Sequence, residues 1–103
     1  MRIIATLADL IDDELEGAEE YAELAHKHKL DQPRLAETFI ALAETEMTHV
    51  KTLHAEATRL IEDSLKRDGE PPADMMAVYE YEHGKQIKRA AAIRQMIAEY
   101  RNS

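Results

Sequence analysis

Residues 36–60, AETFIALAETEMTHVKTLHAEATRL, decide the fold. Ala36, Phe39, Ala43, Glu46, Val50, Leu53, Ala57 and Leu60 follow one another by steps of three and four, the spacing that lines side chains along one stripe of an α-helix. Neither Gly nor Pro interrupts the stretch, so it reads as one long helix with a packed seam. One member of the seam, Glu46, is charged. Working back toward the N-terminus, Ile4, Leu7, Ile11, Glu14, Ala18, Tyr21 and Ala25 repeat the spacing, again with a single acid, Glu14. Working forward, Met76, Tyr79, His83, Gln86, Ala90, Ile93, Ile97 and Tyr100 form a third seam.

Two breaks separate these seams. Asp31-Gln32-Pro33 and Asp68-Gly69-Glu70-Pro71-Pro72 each join a capping residue to a proline that starts or stops a helix. Helices are expected at about 3–29, 33–67 and 72–101. The fold class is all-α: an antiparallel helical hairpin followed by a third long helix, in one domain spanning 1–103.

Composition narrows the function. The 21 acidic and 13 basic residues give a formal charge of −8, which argues against binding nucleic acid, since that draws on clustered Lys and Arg. The chain has no cysteine, which excludes disulfides, thiolate metal sites and cysteine nucleophiles. The opening residues, with Asp9, Asp12, Asp13 and Glu14, hold no apolar run long enough for a signal peptide or a membrane span, so a cytoplasmic protein with no membrane partner is expected.

The two acids carry the chemistry. An ionised carboxylate in an apolar seam costs several kcal/mol unless a partner compensates it, so a cation or a hydrogen-bonded network is expected beside each. With the turn at 30–32, Glu14 and Glu46 lie ~22 Å and ~20 Å from it, at matching height. His49 follows Glu46 by three residues, so both project from one face and can converge on one ion. Hard carboxylate oxygens with one imidazole suit iron or manganese better than copper. The plainer alternative is a metal-free polar network that sets helix register.

A second Glu-x-x-His, Glu80 and His83, lies on the third helix. Its height differs from that of His49 by ~10 Å, so within one chain it should not join the first site, and His83 reads better as a core histidine packed on Tyr79 than as a ligand for another subunit. His26, His28 and His54 are expected at the surface. Met47, Met75 and Met76 are expected as packing residues. Glu16, Glu19, Glu20 and Glu44 are candidate outer carboxylates around the site, more simply read as surface.

Asp13-Glu14-Leu15-Glu16, Tyr21 seven residues after Glu14, and Glu46-Met47-Thr48-His49 together resemble the half-site of the ferritin-like superfamily. The chain is too short for two ferritin hairpins, and the closer resemblance is to the encapsulated ferritins, whose metal site forms between subunits. That resemblance implies a four-helix bundle completed by homodimerisation or a larger homo-oligomer. It also implies a di-iron ferroxidase centre (Mn being the other ion considered) built from Glu14, Glu46 and His49 of two chains, with Tyr21 beside it as a catalytic residue. Oxidation of Fe(II) to Fe(III) for storage or detoxification, inside a protein nanocompartment shell, is the implied activity. Two further classes stay open: a metal-free helical oligomerisation module, and a rubrerythrin-like peroxide reductase lacking its cysteine-bearing rubredoxin domain.

Overall fold

Pro33 and the Gly69–Pro72 run turn the chain at the two expected places. In the computed structural model, which describes residues 2–103, helices α1 (Arg2–His28), α2 (Pro33–Asp68) and α3 (Ala73–Asn102) each begin and end within one residue of the boundaries read above. The described residues contain no strand. Pro33 occupies the first turn of α2, where its missing N–H costs nothing, and Gln32 N–H closes the preceding turn onto His28 O at 2.9 Å. Gly69 takes φ 78°, a conformation that costs a glycine little, and donates its N–H to Leu65 O at 3.0 Å to end α2.

The buried stripe of the hairpin is rotated from the one expected. Along α1 it runs Ile11, Leu15, Ala18, Ala22 and Ala25; along α2 it runs Ala36, Ile40, Ala43, Met47, Val50 and Ala57. Leu15 and Ala22 therefore replace Glu14 and Tyr21, and Ile40 and Met47 replace Phe39 and Glu46. The cause is α3, which packs along one side of the hairpin and draws the buried face of both helices toward itself. Glu14 and Glu46 flank the core and do not interrupt it, and the described residues include no fully buried polar or charged one. The third seam needs no such correction: Ala90, Ile93 and Tyr100 are buried and Ile97 packs against them.

Alanine dominates the contact between α1 and α2, with Ala18, Ala22, Ala25, Ala36 and Ala43 all at zero exposure. Small side chains let the helices approach closely but remove little apolar area each. Among the described residues only Leu15, Ile40 and Ile93 are large and fully buried, at about 1.5–3 kcal/mol apiece. The result is a rod of 55 × 19 × 18 Å with a radius of gyration of 16.5 Å, where a globule of similar length has ~13 Å.

Polar contacts fix which side α3 occupies. Gln86 Nε2 donates to Ala8 O and Asp12 Oδ1, both at 3.0 Å, and Arg89 pairs with Glu19 at 3.1 Å. At the other end Arg101 pairs with Glu37 and, at 2.6 Å, with Glu44, while Lys29 Nζ donates to Tyr100 O at 2.7 Å. The Arg101 guanidinium holds the Glu37 carboxyl below its usual range. Residues 8, 12 and 19 of α1 and 37 and 44 of α2 thus mark the α3 side. The opposite flank carries Ile3, Leu10, Glu14, Gly17 and Tyr21 on α1 and Leu35, Phe39, Leu42, Glu46 and His49 on α2, at helical spacing. Four of these, Ile3, Leu10, Leu35 and Leu42, are exposed large apolar side chains. Among the described residues no helix is long and apolar enough to cross a membrane.

Candidate metal centre

Glu14, Glu46 and His49 meet on that open flank. Each offers one ligand atom within 4.8 Å of the others, and they are the one such group of three among the described residues. The equal heights counted from the turn are realised, because two straight antiparallel helices rise at the same rate from it. His49 Nδ1 lies 3.1 Å from Glu14 Oε2, and their side chains are 50% and 27% exposed. Glu46 is also half-buried. The site is therefore a shallow, water-accessible shelf and not the buried seam position expected; the desolvation cost reckoned for the two acids is not incurred by a single chain.

Gly17 borders this convergence. It is one turn after Glu14, and a Cβ built there would stand 3.6 Å from Glu46 Oε2, so the Glu46 carboxylate lies across the α1 backbone. Sequence reasoning passed over this glycine. The signal was present: glycine inside a helix costs about 1 kcal/mol relative to alanine, and a glycine three residues after a seam acid marks a close approach.

The charge is uneven. Glu14 has His49 as its sole salt-bridge partner among the described residues, and Glu46 has none; the Arg side chains that reach acids across the fold go to Glu19, Glu37 and Glu44. Two carboxylates facing one imidazole, with no Lys or Arg paired to them, favour a cation between them. Donors ~2.1 Å from a common ion stand between ~3.0 Å apart when adjacent and ~4.2 Å when opposite, so small side-chain rotations bring the three atoms onto one ion. Two oxygens and one nitrogen are donors of the kind that suits Fe or Mn, and with one atom from each side chain they leave half of an octahedral shell to water or to donors from elsewhere.

Tyr21 lies on the same flank two turns nearer the hairpin turn, its ring stacked on Phe39 with centroids 6.2 Å apart. Glu80 is exposed and His83 faces α2, so the second Glu-x-x-His does not join the triad. His83 stacks on Tyr79 with centroids 5.6 Å apart, as expected, but it is half-buried and not the core residue expected. His54, expected at the surface, is instead half-buried against His83 with ring centroids 4.5 Å apart. Position 54 continues the true buried stripe, 43–47–50–54–57, and thereby faces α3. Of the methionines, Met47 is core, Met76 is half-buried and Met75 is 49% exposed, so Met75 is not the packing residue expected. Glu19 and Glu44 are held by Arg89 and Arg101 on the α3 side, away from the triad, and Glu16 and Glu20 are exposed.

Scanning family models, curated proteins and solved structures returns no match for this chain.

Proposed function

We propose that this chain is a ferritin-like iron-binding protein that oxidises Fe(II) to Fe(III) at a di-iron site shared by two copies of the chain. The observation that carries the reading is the convergence of Glu14, Glu46 and His49 within 4.8 Å, with no Lys or Arg paired to them and no other element over that flank among the described residues. A two-fold axis through that flank sets one triad against another. The paired hairpins then form a four-helix bundle with one Glu and one Glu-x-x-His from each chain, the arrangement of ferritin-like carboxylate proteins. Ile3, Leu10, Leu35 and Leu42, exposed on the same flank, supply apolar contact for the second copy.

In this reading Fe(II) is the substrate. Glu14 and Glu46 bind it through carboxylate oxygens, whose hardness favours the ferric product over the ferrous ion. Neutral His49 contributes one nitrogen lone pair. In the metal-free chain its Nδ1 lies within hydrogen-bonding distance of Glu14 Oε2, and a bound cation takes the place of that hydrogen bond. Two Fe(II) ions release one electron each, which dioxygen or peroxide accepts. The second copy excludes water from the shelf and raises the cost of leaving the carboxylates uncompensated, so dimerisation and cation binding reinforce each other. Tyr21, two turns away over Phe39, is assigned to the same face as an auxiliary redox or packing residue. A protein shell around the assembly follows only from the resemblance to encapsulated ferritins.

The His49–Glu14 hydrogen bond also favours a second reading, in which the triad is a metal-free register device in an oligomerisation module. Anaerobic Fe(II) titration followed by air separates the two. The ferroxidase reading expects tight Fe(II) binding and a rise in ferric absorbance, both lost in Glu14→Ala and His49→Ala. Unchanged iron uptake in those two variants would move the site elsewhere, and no uptake by the parent protein would leave the oligomerisation module.

A further inference from the structure

Three of the five histidines meet an oxygen: His26 Nε2 lies 2.8 Å from Met96 O, His28 Nδ1 3.2 Å from Asp31 Oδ1, and His49 Nδ1 3.1 Å from Glu14 Oε2. His54 and His83 have only each other among the described residues. His54 Nε2 stands 3.2 Å from His83 Nδ1 and 3.3 Å from His83 Nε2, with the two rings inclined by 13°. A nitrogen equidistant from both nitrogens of a nearly parallel ring lies over that ring and out of its plane. An N–H···N bond needs hydrogen and lone pair close to the ring planes, so the pair is a stack whose in-plane lone pairs have no protein acceptor or donor.

We propose that His54 and His83 form a second cation site, bridging α2 and α3, for a late first-row divalent ion such as Zn(II) or Ni(II). The spacing fits: two nitrogens ~2.0–2.1 Å from a tetrahedral ion stand ~3.3 Å apart. The rings need only turn about χ2, a torsion with broad wells in histidine, to aim both lone pairs at one point. An all-nitrogen pair with no carboxylate beside it selects late borderline ions over Mg(II), Ca(II) or Mn(II), whereas the Glu14 triad selects harder ones. Burial, and after it the neighbouring His83, holds the His54 imidazole below its ordinary pKa, which keeps it in the neutral, ligating form. Burial pushes the Tyr79 hydroxyl up, so Tyr79 remains a neutral wall against His83 and water completes the shell.

The site would act as a staple. The N-terminal half of α3 leaves Met75, Val78 and Tyr81 exposed. It overhangs an apolar groove of about 540 Å³ bounded by Ile4, Ile61, Leu65, Met76 and Tyr79. An ion shared by His54 and His83 joins that half to α2.

The test uses Zn(II) alone. In the full chain carrying Glu14→Ala and Glu46→Ala, which disables the first site, calorimetric titration should give one Zn(II) per chain, and adding His54→Ala or His83→Ala should abolish the heat. In the unsubstituted chain, long-range ¹H–¹⁵N spectra of the imidazoles should show the ring nitrogens of His54 and His83 shifting on Zn(II) addition, with amide exchange slowed across residues 75–83. Equal heat in the His54→Ala and His83→Ala variants, or ring signals of His54 and His83 that stay unmoved at saturating Zn(II), would overturn the assignment. The spectroscopic arm needs no substitution, so a variant that fails to fold does not decide the matter.

Discussion

Glu14 and Glu46 each precede a core residue by one position, and that offset decides how substitutions act. Leu15 is fully buried, so Leu15→Ala opens a cavity and is expected to cost about 2–5 kcal/mol in chemical denaturation. Glu14→Ala, half-exposed beside it, should change stability by no more than about 0.5 kcal/mol while removing iron binding. A large loss of stability in Glu14→Ala would mean the acid serves structure first. Gly17 divides in the same way. A methyl group there meets Glu46 at 3.6 Å, ordinary contact, so Gly17→Ala should stabilise by about 0.5–1 kcal/mol in the same assay. Gly17→Leu should displace the Glu46 carboxylate and weaken Fe(II) binding, measured by titration.

The helices were legible because proline, glycine and the three-four spacing speak for each residue locally; all three were bounded to within one residue. Which stripe of α1 and α2 is buried was not. The series 11–14–18–21–25 and 11–15–18–22–25 share Ile11, Ala18 and Ala25, and both satisfy the spacing. Tyr21 looks more apolar than Ala22, and only the side taken by α3 chooses between them. For the same reason the meeting of Glu14, Glu46 and His49 could be read from heights alone, whereas the pairing of His54 with His83 required the true stripe. The C-terminal end of α3 is held by Arg101 on Glu37 and Glu44. Because the Glu37 carboxyl is held below its usual range, its contribution is present above the unfolded value near 4.5 and is lost as pH falls through the folded one. Amide protection over the last turns of α3, taken relative to the intrinsic exchange rate at each pH, should therefore fall as the pH drops below 4.5, and by more than in Arg101→Ala, where the clamp is already gone. A parallel response in both would show that the pair does not hold the helix.

As a whole the molecule is a rod with an alanine-rich core and one uncovered flank. Its three large, fully buried side chains are few for a free-standing domain of this length, and the leucines at 10, 35 and 42 lie where a second hairpin would sit. Leu10→Glu with Leu42→Glu should leave helix content unchanged by circular dichroism, shift sedimentation from dimer to monomer, and slow iron oxidation with the triad intact. Oxidation at the parent rate by a monomeric variant would separate the chemistry from the interface. The claim on which the rest stands is that iron sits between two copies at Glu14, Glu46 and His49. Native mass measurement after anaerobic Fe(II) loading tests it most directly: dimers carrying two iron ions are expected, reverting to iron-free protein in His49→Ala, whereas a chain that stays monomeric and iron-free at saturating Fe(II) contradicts it.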